Sequence, residues 1–206
     1  MAQCFTIHAD NPQSRFISQA GDIVRQGGVI VYPTDACYAL GCQLNNKNAL
    51  ERMLRIRALD LKHHLTLMCS DLSQLSKYVH VDNNQFRLLK TAMPESYTFI
   101  LEATKEVPSR VLHPKRKTIG VRISDNAITQ ALLTNLGEPL LSCTLLLSEN
   151  NEPLTDPYDI RTHLEHQVDL VIDGGWCGLE PTTVIDITDE PVLIRQGKGN
   201  TALFNF

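Results

Sequence analysis

The sequence predicts an α/β (α+β) fold, a single domain built on a twisted mixed β-sheet with flanking helices. Three observations lead there. Short apolar runs such as VIVY and LLSCTLLL alternate along the chain with amphipathic stretches of helical period, the pattern of strands and helices sharing one core. No linker, repeat or low-complexity tract interrupts residues 1–206. A chain of 206 residues, 43% hydrophobic and 20% charged, can also bury a substantial core without staples.

Residues 11–26 read as the opening helix, with Asn11 as N-cap, Pro12 at the first helical position, and Phe16, Ile17, Ala20, Ile23 and Val24 on one face. Gly27-Gly28 stops it. VIVYP then forms a strand apolar on both sides, as a doubly covered sheet requires. A second helix is predicted over 46–57, with Ala49, Leu50, Met53 and Leu54 inward and Arg55 and Arg57 at its C-terminal end, where cations suit the helix dipole. Further strands are predicted at 65–69, 97–102, 119–123, 139–147, 168–173, 183–187 and 191–195. Helices are predicted at 71–79, 83–92, 125–136 and 157–166, the first opened by Asp71 and the third by Ser124-Asp125. The stretches EATKEVPSRVLHPKRK and LSENNEPLTDP are the most polar connections.

The net charge of −4 excludes a protein coated with basic residues, so any phosphate or nucleic-acid site must come from local clusters. Six cysteines, at 4, 37, 42, 69, 143 and 177, form no CxxC pair, which argues for small buried thiols in a reducing compartment and against a zinc site. The first residues, MAQCFTIHADNP, carry no basic segment followed by an apolar one. No apolar run reaches the roughly 20 residues that span a bilayer. A cytoplasmic protein without a membrane or a bound metal is expected.

Four segments could carry chemistry. GGVIVYPTDACYALG (27–41) ends a buried strand in Thr34-Asp35. A hydroxyl and a carboxylate there read either as ligand contacts or as an ordinary turn. Two short segments hold seven cations, Arg55, Arg57 and Lys62 with His63 and His64 behind, then Lys115, Arg116, Lys117 and Arg122. Such clusters suit an anion, although Lys115–Lys117 also read as solvated loop charge. Arg122 lies inside the apolar pattern TIGVRI, where a guanidinium needs a partner. Ser142 and Thr144 in LLSCTLLL read as hydroxyls satisfying neighbouring backbone. Thr182-Thr183 and Arg195-Gln196-Gly197 flank the last two strands. No P-loop, GxGxxG or GxSxG motif is present. His163 and His166 read as exposed helix histidines.

In their order, GGVIVYPTDACYALG, RIR, TIGVR, LSCTL, PTTVID and RQG resemble the YrdC/YciO family over about residues 15–197, with FTIHADNP and HPKRKTIG closest to the YciO branch. The resemblance implies a YrdC-like fold with a basic concave cleft and a nucleotidyltransferase of the L-threonylcarbamoyladenylate synthase type. That reaction joins ATP, L-threonine and bicarbonate, releases pyrophosphate, and serves tRNA threonylcarbamoyladenosine modification. By position the resemblance places Arg55, Arg57, Thr118, Thr144 and Arg195 toward the nucleotide. It places Thr34, Arg122, Ser142 and Thr182 toward the amino acid, Thr34 at its hydroxyl and Arg122 at its carboxylate. ATP with Mg2+ would be a substrate rather than a cofactor. Double-stranded RNA or tRNA would be a further partner, on Lys115, Arg116 and Lys117. At three places the chain departs from the synthases: Arg55 replaces a lysine, Met68 a histidine and Leu146 an asparagine. These departures imply a weakened or altered reaction, with a non-catalytic RNA-binding protein, or an enzyme on another phosphorylated or carbamoylated compound, as the alternatives.

Overall fold

The computed structural model describes residues 1–59, 65–94, 96–147 and 152–204. Among these residues ten strands form one mixed sheet: β1 (Gln3–Thr6), β2 (Ile30–Tyr32), β3 (Ala39–Gln43), β4 (Thr66–Cys69), β5 (Tyr97–Glu102), β6 (Thr118–Ile123), β7 (Leu140–Thr144), β8 (Leu170–Asp173), β9 (Thr183–Asp186) and β10 (Val192–Arg195). Their spatial order is β1-β8-β2-β3-β7-β4-β6-β5-β9-β10. Parallel pairs such as β4–β6 and β5–β9 sit beside antiparallel ones such as β3–β7 and β5–β6. Among the described residues six α-helices accompany it: α1 (Ser14–Arg25), α2 (Lys47–Ile56), α3 (Leu72–Tyr78), α4 (Asn83–Ala92), α5 (Ala127–Leu136) and α6 (Pro157–Leu164). No helix among the described residues is long and apolar enough to cross a membrane.

Period-two alternation sends successive side chains to opposite faces of the sheet. On one face Leu67, Phe99, Val121, Leu141 and Val171 meet α2, α3, α4 and α6 through Met53, Leu75, Leu89 and Ile160. On the other, Ile30, Tyr32, Leu170 and Ile172 meet α1 and α5 through Ile17, Val24, Ile128 and Leu132. That second cluster ends at Met68 and Leu140. The strands beyond, β6, β5, β9 and β10, carry no helix on this face among the described residues.

Local chemistry sets the helix starts. Asp71 and Asn46 cap α3 and α2, and Asp82 with Gln85 forms a capping box on α4. The predicted start of α1 at Asn11-Pro12 is corrected: the helix begins at Ser14 after Gln13. The preceding residues are drawn into a turn, with the Asp10 and Asn11 amides donating to His8 Nδ1. The cap of α5 is Asn126, accepting from the Thr129 amide, rather than Ser124-Asp125, because the Ser124 hydroxyl is committed elsewhere. Two strands escaped the sequence reading. β1 is a largely exposed edge, and β3 lies in the part of GGVIVYPTDACYALG after Thr34-Asp35, for which no strand was predicted. Four cysteines are buried, and all six are free thiols.

Phe99 is fully buried at the centre of the larger cluster. Phe99→Ala is expected to cost about 3–5 kcal/mol, read as a lower urea midpoint with an unchanged slope.

Candidate functional site

The uncovered half of the sheet forms the floor of a cavity of about 430 Å³. Register explains its composition. Thr66 lies beside Gly120 and Ser142, Met68 beside Arg122, Gly120 beside Ile100, and Thr98 beside Val184. All line the cavity, joined by Arg57 from the end of α2, Cys37 and Ala39, Thr144 and Leu146, and Thr182, Ile194 and Arg195. A side chain on Gly120 would meet Thr66 Oγ1 at 2.9 Å and the Leu65 carbonyl at 3.1 Å. The glycine therefore keeps the floor low.

Arg122 is the best-held charge. Its Nη2 donates to Asp35 Oδ1 at 2.7 Å and lies 3.4 Å from Thr34 Oγ1, and the pair is nearly buried at 8% and 13% side-chain exposure. Ser124 donates to the same Asp35 oxygen, and Ser96 donates to Oδ2 at 2.7 Å. Burial alone would raise the Asp35 pKa. The Arg122 charge and the two serine hydroxyls outweigh it and hold the carboxyl below its ordinary 3.8.

The other two arginines meet only neutral acceptors. Arg57 Nη1 donates to the Leu146 carbonyl, and Arg195 donates to the Thr182 carbonyl at 2.9 Å from Nη2 and 3.3 Å from Nε. Burial lowers the Arg57 pKa, with Cys143 opposing. Partial burial also lowers that of Arg195, and the Arg122 charge adds to the effect. The Nε atoms of Arg57 and Arg122 are buried without a hydrogen-bond partner among the described residues. Burial pushes the thiols of Cys37 and Cys143 up to about 11 and about 12, so both stay protonated at neutral pH. No carboxylate lines the cavity among the described residues.

Of the residues singled out from sequence, Arg57, Arg122, Ser142, Thr144, Thr182 and Arg195 come together in this cavity. Thr34 lies behind Arg122, buried at 4%, with its hydroxyl donating to the Cys37 carbonyl at 2.6 Å and accepting from the Ala36 amide at 3.1 Å. It holds the loop rather than facing the cavity. Thr118 is buried, its hydroxyl without a partner among the described residues, in a neighbouring hollow that also contains Glu102, Arg116 and Asp186, and Ile194 lines both spaces. Arg55 is exposed on α2 and lines neither. Lys115, Arg116 and Lys117 are exposed, and Arg116 pairs with Asp186 at 3.0 Å. Lys62, His63 and His64 lie outside the described residues. No cluster of three or more potential metal ligands exists among the described residues. Sequence reasoning left Asp35 between turn and ligand contact and missed Ser96, which had no local signal. Ser124 was read only as a helix opener.

Fold and site together define a mixed α/β protein with an arginine-lined cavity on the half of its sheet that no helix covers among the described residues. A family model for Sua5/YciO/YrdC, described as telomere recombination, matches residues 22–197, and the chain belongs to that family. It is 58% identical over 205 residues to the uncharacterized protein YciO of Escherichia coli K12, covering 99% of this chain and 100% of that one. It is 55% identical over 206 residues to an uncharacterized protein of Haemophilus influenzae, covering 99% and 100%. The crystal structure of E. coli YciO matches with a TM-score of 0.96 at 57% identity, over 99% of this chain and 100% of that chain. P. abyssi Sua5 complexed with L-threonine shares the fold, with a TM-score of 0.86 at 22% identity over 94% of this chain and 57% of that chain.

Asp35→Ala would leave Arg122 charged, buried and unpaired. A loss of about 3–5 kcal/mol is expected, and Asp35→Ala with Arg122→Leu should cost less than the sum of the two single changes, measured by denaturant unfolding. The lowered Asp35 pKa also fixes a sign. Its ionised form contributes stability that is complete above the ordinary 3.8 and is lost as pH falls through the lower folded value. Wild type should therefore lose more stability than Asp35→Asn in that acidic window.

Proposed function

We propose that the cavity binds an amino-acid carboxylate on Arg122 beside an adenine nucleotide whose phosphates lie toward Arg57 and Arg195, and that it supports a threonylcarbamoyl-AMP synthase type of reaction. One observation carries this reading: three arginines line one cavity without a lining carboxylate among the described residues, and two of them meet only neutral acceptors there. An uncompensated guanidinium pair is suited to phosphate oxygens. The fold shared with a Sua5 that was crystallised with L-threonine supports an amino acid as the companion ligand.

In this reaction the amino group and bicarbonate first combine to a carbamate with loss of water. A carbamate oxygen then attacks the α-phosphorus as the bond to pyrophosphate breaks. Arg122, fixed by Asp35, would orient the carboxylate, while Arg57 and Arg195 would balance charge on the phosphates. Mg2+ would enter on the polyphosphate, since the described lining offers it no carboxylate. The apolar Met68 and Leu146 in the lining leave fewer polar groups for the transition state, consistent with a slow or altered reaction. The test is pyrophosphate release from ATP with and without L-threonine and bicarbonate. Dependence on both supports the reading, and release indifferent to both overturns it. Arg57→Ala should weaken ATP binding by roughly ten- to hundredfold, the equivalent of losing about 1.5–3 kcal/mol of charged hydrogen bonds.

RNA is a second ligand, favoured by Lys115 and Lys117. Both are exposed, make no ion pair among the described residues, and stand on a turn that Lys117 enters with a φ of 54°. A short RNA duplex should bind with an affinity that falls steeply with salt. Lys115→Glu with Lys117→Glu should abolish most of that binding, and an unchanged affinity would remove RNA from this surface.

A further inference from the structure

We propose that a hollow between β1, the start of α6 and the glycine turn after β8 binds a small alkylammonium ion, held against Trp176 and Tyr158 and by the charge of Asp156 and Asp173. The hollow has a volume of about 320 Å³ and shares no lining residue with the arginine cavity. The inference therefore stands apart from the reaction proposed above.

Trp176, the chain's single tryptophan, and Tyr158 are each 75% exposed, although a tryptophan is ordinarily well buried. The turn that carries Trp176 is pinned on both sides. The Tyr38 hydroxyl donates to the Gly175 carbonyl at 2.6 Å and accepts from the Gly174 amide at 3.2 Å. The Gly175 amide donates to Asp173 Oδ1 at 3.0 Å, and the Cys177 amide to the Thr155 carbonyl at 3.3 Å. Gly175 has a φ of 87°, which glycine alone adopts readily. A side chain on Gly174 would meet Ile128 at 2.7 Å and Pro33 at 2.8 Å. Tyr158 is fixed from below, since its amide donates to the α6 cap Asp156 at 2.9 Å. Two rings are thus held out in water on rigid backbone, and rings already in place lose little freedom when a ligand arrives.

Charge decides the kind of ligand. Asp156 and Asp173 line the hollow with Arg161 as the one cation, which leaves a negative charge over. None of the three belongs to an ion pair among the described residues. The two carboxylates also stand near one hydroxyl: burial and Cys177 raise the Tyr38 pKa, and Asp173 and Asp156 raise it further. The face of an aromatic ring is negative, so rings and carboxylates attract the same ion. A phosphate-bearing ligand would meet two carboxylates for one guanidinium. An uncharged apolar ligand would strip water from the carboxylates and offer them nothing in return.

The test is titration of the full chain with choline at constant ionic strength, read by tryptophan fluorescence, which reports Trp176 alone. Choline should give a saturable change and bind roughly tenfold more tightly than the uncharged alcohol in which carbon replaces its nitrogen. Equal affinity for the two would overturn the cation, and no saturable change with choline would overturn the site. Tyr158→Leu removes a ring and keeps an apolar side chain. Asp156→Asn with Asp173→Asn removes the charge and keeps an oxygen for each backbone amide. Each should weaken choline by roughly three- to tenfold. Unchanged choline affinity in either folded variant would overturn this geometry, and if a variant does not fold, the wild-type ratio of choline to alcohol decides.

Discussion

The ion pair between Asp35 and Arg122 organises the site. Burying two charges is unfavourable unless geometry and additional hydrogen bonds offset the lost hydration. Here the carboxylate also accepts from Ser96 at the start of β5 and from Ser124 at the entrance to α5. The Asp35 carbonyl accepts from Lys198 in the C-terminal segment. One residue at the end of β2 thus ties together four parts of the chain far apart in sequence. The pair fixes the guanidinium in one orientation at the centre of the cavity floor. It does so with the charge already neutralised, which leaves the net positive charge to the two arginines at the margins.

The second constraint is the uneven covering of the sheet. α1 and α5 contact each other and close one face only as far as Met68 and Leu140. Past that line the same face must present side chains that tolerate water, and its residues are Thr66, Gly120, Arg122 and Thr98. The opposite sides of the same strands, Leu67, Val121 and Phe99, are wholly buried beneath the other helix layer. β6 is therefore two-faced, with Gly120 and Arg122 toward the cavity and Val121 toward the core, while β4, β5 and β9 add Met68, Ile100 and Val184 to the lining beside Thr66 and Thr98. Gly197, whose added side chain would strike the Pro181 carbonyl at 2.2 Å, lets the segment after β10 lie against the entrance of β9. That contact sets Arg195 over Thr182.

Much of this was legible in the sequence, and the reasons are local. Period-two alternation in TIGVRI places Thr118, Gly120 and Arg122 on one face, and an arginine in such a run signals a partner or a ligand. Capping residues and apolar spacing located α2, α3 and α4 to within a residue or two. What stayed hidden depends on long-range pairing. Thr118 shares its face with Arg122, yet Ile194 of β10 stands between their two hollows, and only the β5–β9–β10 order brings Ile194 there. Thr34 looked like a free hydroxyl because nothing in its own segment reveals that the Cys37 carbonyl, the Ala36 amide and Arg122 converge on it. β1 gave no signal, since an exposed edge strand of four residues lacks an apolar stripe.

Charge and proton inventory together limit what chemistry the cavity can carry out. The whole chain is acidic, with a net charge of −4, yet the lining contains three arginines and no carboxylate among the described residues. Local placement therefore decides the sign of the field at the site. Among the described residues the lining holds no histidine and no carboxylate, and burial pushes the Cys37 and Cys143 thiols up to about 11 and about 12. Among the described lining side chains none is a candidate general acid or base. Attack of a carbamate oxygen on an α-phosphorus needs none, because its nucleophile is already an anion and its leaving group is pyrophosphate. Such a step depends on positioning and on fixed positive charge. Guanidiniums held by neutral acceptors and by a buried carboxylate would supply both to the reaction proposed above with little reorganisation. The chemistry that suits this cavity is one in which charge is carried in by the substrates and steadied by the protein.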